Sequence, residues 1–336
     1  MRGVTDTVLV TGASGFVGGH LVERLASEGR RIRALMRPGR ESDIVRNAGA
    51  EIVVGDLSDR DSLERAVNGV DAVIHLAALK HASRQAAYAR VNEDGSENLA
   101  DAIRRARNGD PIRVVYLSSY AAAGPSAPDC ARTVTDPAAP LSRYGASKLH
   151  GEARMSALAC EGVSVVVVRA PVVYGPRDPD LLTIFRFVRR GWAPLPAGHE
   201  RRLHLVFAAD LAGALARAAR TQGRSVTSGV YAVADPIAYT WPAVFSAMAA
   251  ALGTRVRLMR IPAPLLKIAA AVSEAGGVLA GRAAPFSRDK AKEMIASGWV
   301  CDVSDSEWML PPECVTAIEA GMAQTVKWYR DERWLS

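Results

Sequence analysis

The stretch Val8-Leu9-Val10-Thr11-Gly12-Ala13-Ser14-Gly15-Phe16-Val17-Gly18 constrains this chain more than any other. A β-branched run breaks at three spaced glycines and resumes as Gly19-His20-Leu21-Val22-Glu23-Arg24-Leu25, which reads as strand, tight turn and helix. Each glycine has its own task. Gly12 lets the chain reverse, Gly15 removes a Cβ that would hold a pyrophosphate off the backbone, and Gly18 lets helix and strand approach. Ser14, Phe16 and Val17 lie in the same turn, whose free N–H groups and helix-dipole end face a phosphate. A glycine turn alone occurs in many loops, so the following residues have to support it.

They do so by alternation. Strands are predicted at 31–36, 51–54, 72–76 and 113–117, with helices at 42–48, 59–67 and 92–107 between them. Repeated βα units imply an α/β fold of the Rossmann type, a doubly wound parallel sheet that binds ligands outside the carboxyl ends of its strands. A length of 336 residues fits about two domains. We expect a dinucleotide-binding domain over 1–173 and 203–235, and a smaller mixed α/β substrate domain over 174–202 and 236–336.

Candidate binding residues follow the strands. The second strand ends at Met36-Arg37-Pro38-Gly39-Arg40, where a dinucleotide fold that takes NAD usually has Asp or Glu. An arginine suits a 2′-phosphate, so Arg37 favours NADP(H), with NAD(H) retained as possible; the plainer reading of Arg37 is a solvated strand end. In Gly55-Asp56-Leu57 the carboxylate either approaches the adenine amine or belongs to the cap of the next helix. The small residues of His75-Leu76-Ala77-Ala78 allow close approach of backbone to ligand, while His75 itself reads as a satisfied core residue. Asn92 either bridges its helix to the active-site strand or is an ordinary cap.

The chemistry comes after the fifth strand, where Val114-Val115-Tyr116-Leu117 runs into Ser118-Ser119. Farther on, Tyr144 and Lys148 stand four apart at the start of a helix predicted to reach 158, and so project from one face. A free phenol, with a pKa of ~10, is a poor proton donor or acceptor at neutral pH. A nearby ammonium and a positively charged nicotinamide lower it and make a general acid or base. Ser119 is placed to hydrogen-bond the substrate oxygen on which charge develops.

On these motifs, taken in order from Val8 to about Asp235, the chain resembles the extended short-chain dehydrogenase/reductase family. That group contains nucleotide-sugar epimerases, dihydroflavonol reductases and 3β-hydroxysteroid dehydrogenases, and the last two are nearest in type. The resemblance implies hydride transfer between a substrate carbon and nicotinamide C4. It implies Tyr144 as proton donor or acceptor, Lys148 on the ribose hydroxyls, and Ser119 on the substrate oxygen. It also implies backbone contacts to the nicotinamide amide from Pro171, Val172 and Val173, and a homodimer through the helices at 92–107 and 144–158. Departures narrow the reaction. Ser119 is followed by Tyr120-Ala121-Ala122 where dehydratases carry Asp-Glu, and Leu203 replaces the arginine that epimerases use for a diphosphate, with Arg201 and Arg202 close by. Ala123 and Phe207 replace a tyrosine and a histidine. An NADP-dependent ketoreductase or hydroxy dehydrogenase for an apolar small molecule is therefore expected. The alternatives are a nucleotide-sugar epimerase and a non-catalytic dinucleotide sensor.

Composition excludes little else. The net charge of +7 comes from arginines spread along the chain, which argues against a nucleic-acid partner. Cys130, Cys160, Cys301 and Cys314 show no metal-ligand spacing and read as reduced thiols. Residues 1–7 lack a leader-like apolar run and 261–279 carries Lys267, Glu274 and glycines, so no integral membrane segment and a cytoplasmic location are expected. In the last third, helices are predicted at 181–190, 211–220, 241–252 and 265–279, a loop at 192–198 and a short strand at 230–233. A Gly/Arg/Pro linker then leads to an amphipathic tail over 317–334. The apolar helix 265–279 is core, a pocket wall or a membrane-surface segment.

Overall fold

Seven parallel strands form one sheet in the order Gly229–Ala232, Val163–Ala170, Ile112–Ser119, Ala72–His75, Thr7–Thr11, Arg31–Met36, Glu51–Val54. The computed structural model describes residues 6–335 except 41, 83, 108–109, 129, 161, 221–226, 281–283 and 285. Most of the predicted Gly/Arg/Pro linker lies outside the described residues.

The sheet is buried on both faces because side chains alternate along each strand. Val8, Val10, Val166 and Val168 pack with Leu21, Leu25, Leu211 and Leu215 on one side. Leu9, Val165 and Val167 pack with Leu63, Leu99, Ile103 and Met155 on the other. Helices therefore flank a Rossmann-type sheet, as the alternation predicts. The strand Val163–Ala170 holds the apolar run Val165-Val166-Val167-Val168, whose period alone does not separate strand from helix, and it pairs along its full length with Ile112–Ser119.

A further cluster joins Tyr174, Phe185, Leu203, Phe245, Met248, Met322 and Tyr329. Its helices start where caps dictate: Asp178 accepts from Asp180 N before Pro179–Arg189, and Thr240 accepts from Ala243 N before Trp241–Leu252. Residues 192–198, expected as a loop, contain a strand instead. Trp192–Pro196 pairs in parallel with Arg257–Ile261, and its two prolines are tolerated because the pair is an isolated ribbon with free edges.

The apolar helix spans Ala263–Leu279 and is only partly core. Leu266 and Ala270 are buried, whereas Leu265, Ile268, Val272 and Leu279 are exposed. Among the described residues no helix is long and apolar enough to cross a membrane.

Candidate active site

Parallel register gathers the strand ends. Thr11 lies opposite both Leu35 and His75, His75 opposite Tyr116, and Ser119 opposite Ala170. The residues that follow, Gly12, Arg37, Leu76 and Pro171, therefore leave the sheet along the same edge as Ser119. Hydrogen bonds fasten this edge: Thr11 Oγ1 lies 2.6 Å from His75 Nδ1 and accepts from Ala77 N at 3.3 Å.

The glycine turn fits a phosphate. Gly12 has φ +75°, and a Cβ there would stand 2.7 Å from Ala77 N. A Cβ on Gly18 would stand 2.1 Å from Gly12 O, so strand and helix meet there without a side chain. At Gly15 the nearest atom would be Gly12 O at 3.2 Å, and Ser14 and Gly15 open to solvent. No side chain caps the helix Phe16–Ser27 and its first turn holds no acid, which leaves its N–H donors to an incoming anion. Arg177 adds a cation that the sequence pattern did not reveal. Its Nη2 binds Glu23 at 2.6 Å, its Nη1 would contact a Cβ on Gly19 at 2.8 Å, and its Nε and Nη1 are buried without a partner among the described residues. A cradle closed to a side chain beside unpaired guanidinium donors fits the pyrophosphate of a dinucleotide.

Around the cradle, Arg37 is exposed at the end of its strand. Asp56 turns its Oδ1 to Ser58 N and Oγ at 3.0 and 2.8 Å, and the cap of the next helix is Asp59, which accepts from Ser62 N. Leu57 is buried, and its carbonyl accepts from Asn98. Leu76, Ala77 and Ala78 are half-buried, as are Pro171, Val172 and Val173, the last two in a short strand paired with Leu205–Phe207. Asn92 is neither a cap nor a free ligand. Its Oδ1 accepts from Leu79 N at 2.7 Å, and its Nδ2 donates to Leu79 O and Ser147 Oγ, so it ties the loop after His75 to the Tyr144 helix. His75 is a core residue as read: Ser96 Oγ lies 3.2 Å from its Nε2, and burial, reinforced by the Lys148 charge, pushes its pKa down to about 3.

The reacting groups converge from three elements. Ser119 ends its strand, and Tyr144 and Lys148 enter from the helix Arg143–Ser156, whose start is capped by Ser142 accepting from Gly145 N. A Cβ on Gly145 would lie 2.3 Å from Ala121 O, so the missing side chain lets this helix press onto the turn after Ser119. The Ser119 hydroxyl, which accepts from Ala121 N at 3.2 Å, is near enough to the phenol to favour its ionised form. Burial raises the Tyr144 pKa, while the Lys80 ammonium and Ser119 oppose that rise. Lys80, which pairs with Asp180 at 2.5 Å, is thus a further cation that tempers this phenol, one that helix spacing does not reveal.

Lys148 is buried, donates to Leu117 O at 2.7 Å and sits 4.1 Å above the Tyr116 ring. Burial pulls its pKa down to about 7 against the opposing charge of Glu152. Glu152, one helical turn on, accepts from Ser118 Oγ at 2.5 Å and holds Arg169 through both oxygens at 3.0 and 2.7 Å. This buried network fixes strand against helix behind the site. Its i, i+4 spacing from Lys148 was visible in the sequence, whereas nothing there marked Lys80 or Asp180.

Fold and site together define a pyridine-nucleotide enzyme, and the chain belongs to the NAD dependent epimerase/dehydratase family, whose pattern matches residues 8–234. This is the extended short-chain dehydrogenase/reductase group, in which relatives of this chain are reductases, epimerases and dehydratases. Ceramide reductase of Caulobacter vibrioides is 32% identical over 336 residues, covering 99% of this chain and 96% of that protein. The crystal structure of gox2253 superposes with a TM-score of 0.79 at 23% identity, covering 98% of this chain and 100% of that one. MoeE5 in complex with UDP-glucose and NAD gives a TM-score of 0.72 at 25% identity, covering 97% and 99%.

Proposed function

We propose that the protein is an NADP(H)-dependent ketoreductase that interconverts a carbonyl and an alcohol on an apolar lipid of the ceramide class. The observation that carries this reading is the likeness to ceramide reductase along nearly the whole of both chains, including the part beyond the cofactor motifs. A dinucleotide in the glycine cradle supplies the hydride. Ser119 holds the carbonyl oxygen, and Tyr144 delivers the proton to it as the carbon is reduced. Lys148, with Leu117 O taking one of its three protons, has donors left for ribose hydroxyls.

The surroundings support an apolar substrate over a sugar nucleotide. Leu203 is buried, and neighbouring Arg201 gives its guanidinium to the carbonyls of Pro196, Ala197, His199, Ile295 and Ala296 rather than to an open site. Phe207 is buried as well. Arg37, exposed where a 2′-phosphate would lie, supports NADP(H) over NAD(H). Segments 174–202 and 236–336 carry substrate selection in this proposal, and a homodimer through the helices at 92–107 and 144–158 completes it.

The test is a screen that follows nicotinamide absorbance with NADPH and with NADH, offering the keto form of a ceramide, simpler long-chain ketones and UDP-glucose. Oxidation of NADPH driven by the keto lipid is expected. Conversion of the UDP-sugar without net cofactor consumption would instead establish an epimerase.

A further inference from the structure

The helix Ala263–Leu279 shows solvent an apolar face that the fold does not use. Leu265, Ile268, Val272 and Leu279 are 55%, 60%, 67% and 90% exposed, and at about 100° per residue they fall within an arc of about 60°. Leu266 and Ala270, the buried pair, lie on the opposite side. Directly before the helix, the strand Arg257–Ile261 exposes Leu258 and Met259 as well.

The chain leading into this face carries charges of one sign. No acid occurs between Asp235 and Glu274, a stretch that holds Arg255, Arg257, Arg260 and Lys267. None occurs between Asp180 and Glu200 either, a stretch that holds Arg186, Arg189 and Arg190. The pairing of Trp192–Pro196 with Arg257–Ile261 lays these two acid-free stretches side by side. The carboxylates nearest the helix are neutralised: Glu274 by Arg143 and Arg288, Asp289 by Arg143 and Lys292, Glu293 by Lys290. Arg257, Arg260 and Lys267 have no ion-pair partner among the described residues.

We propose that this face docks the enzyme on a bilayer surface bearing anionic headgroups, with Leu265, Ile268, Val272 and Leu279 entering the acyl boundary and the flanking cations meeting phosphate. An exposed apolar stripe with neighbouring cations, its nearest acids held in ion pairs, is the pattern of an interfacial helix. A second copy of the chain fits less well, because a two-fold contact would set these cations against themselves. The helix is also tethered to the site, since Glu274 binds Arg143, the residue before Tyr144, at 3.2 Å. Docking does not rest on the ketoreductase reading.

The experiment is co-sedimentation of the full-length protein with vesicles of phosphatidylcholine alone or mixed with phosphatidylglycerol. Binding to the mixed vesicles, weakened by salt, is expected. I268E/V272E should lower the partition coefficient at least about tenfold, and R257E/R260E should remove the preference for anionic vesicles. The proposal is overturned if the wild type stays in the supernatant, if both variants bind as it does, or if the wild type is a dimer that I268E/V272E splits. Because binding is read without turnover, its failure and that of the ketoreductase reading are separate results.

Discussion

Tyr144 lies between a burial that disfavours its phenolate and two neighbours, Lys80 and Ser119, that favour it. Tyr144→Phe should lower turnover by about 10²–10⁴-fold and leave NADPH affinity within about twofold, as single-turnover kinetics and fluorescence titration would show. Lys80→Met removes the cation that restrains the phenol. Since reduction needs the protonated phenol, the basic limb of its kcat/KM profile should move to higher pH; an unmoved limb would mean that Lys80 does not act on the phenol. The tyrosine, lysine and serine were legible from spacing because helix periodicity and strand ends are local properties. Lys80 and Asp180 are 100 positions apart and meet only through the fold, so no local pattern announced them.

At the scale of elements, the site is an effect of close approach. The strand–turn–helix at the glycines was legible in full, since Gly12 and Gly18 answer steric demands that the structure contains. Gly145 is less visible in sequence, yet it decides how near the Tyr144 helix comes to the turn after Ser119. Gly145→Ala should therefore lower kcat by about 10–100-fold with a smaller effect on cofactor affinity. Equal losses in both would mean that the helix shift reaches the cradle. The parallel ribbon of Trp192–Pro196 and Arg257–Ile261 was not legible. Prolines mask the first strand, and the second has no alternation because four of its five residues are exposed.

For the whole molecule, the sheet could be read from repeated βα units, and the helices Pro179–Arg189, Trp241–Leu252, Ala263–Leu279 and Ile318–Asp331 lie where the last third predicts them, but their packing could not be read because they meet partners remote in sequence. Asp178 shows how those parts depend on one another: it caps one helix through its side chain, while its carbonyl accepts from Tyr329 of the C-terminal helix at 2.6 Å. Burial pushes its carboxyl up to about 6. The fold then favours the protonated form, so this group contributes stability below about pH 4 that is lost as the pH rises through about 6, in all about 3 kcal/mol. Asp178→Asn keeps a capping oxygen and cannot ionise. Thermal unfolding should show a Tm gain over wild type at pH 7.5 that vanishes near pH 4, and a constant difference would contradict the assignment.

Hydride delivery to a lipid carbonyl at the Ser119–Tyr144–Lys148 edge is open to an isotope-transfer experiment. The enzyme is incubated with NADPH carrying deuterium at both C4 positions of the nicotinamide, the keto form of a ceramide and UDP-glucose, and lipid and sugar are analysed by mass spectrometry. One deuterium per alcohol formed, with one NADPH consumed, is the predicted result. An unlabelled lipid, with deuterium retained on the cofactor while a UDP-sugar is epimerised, would contradict it.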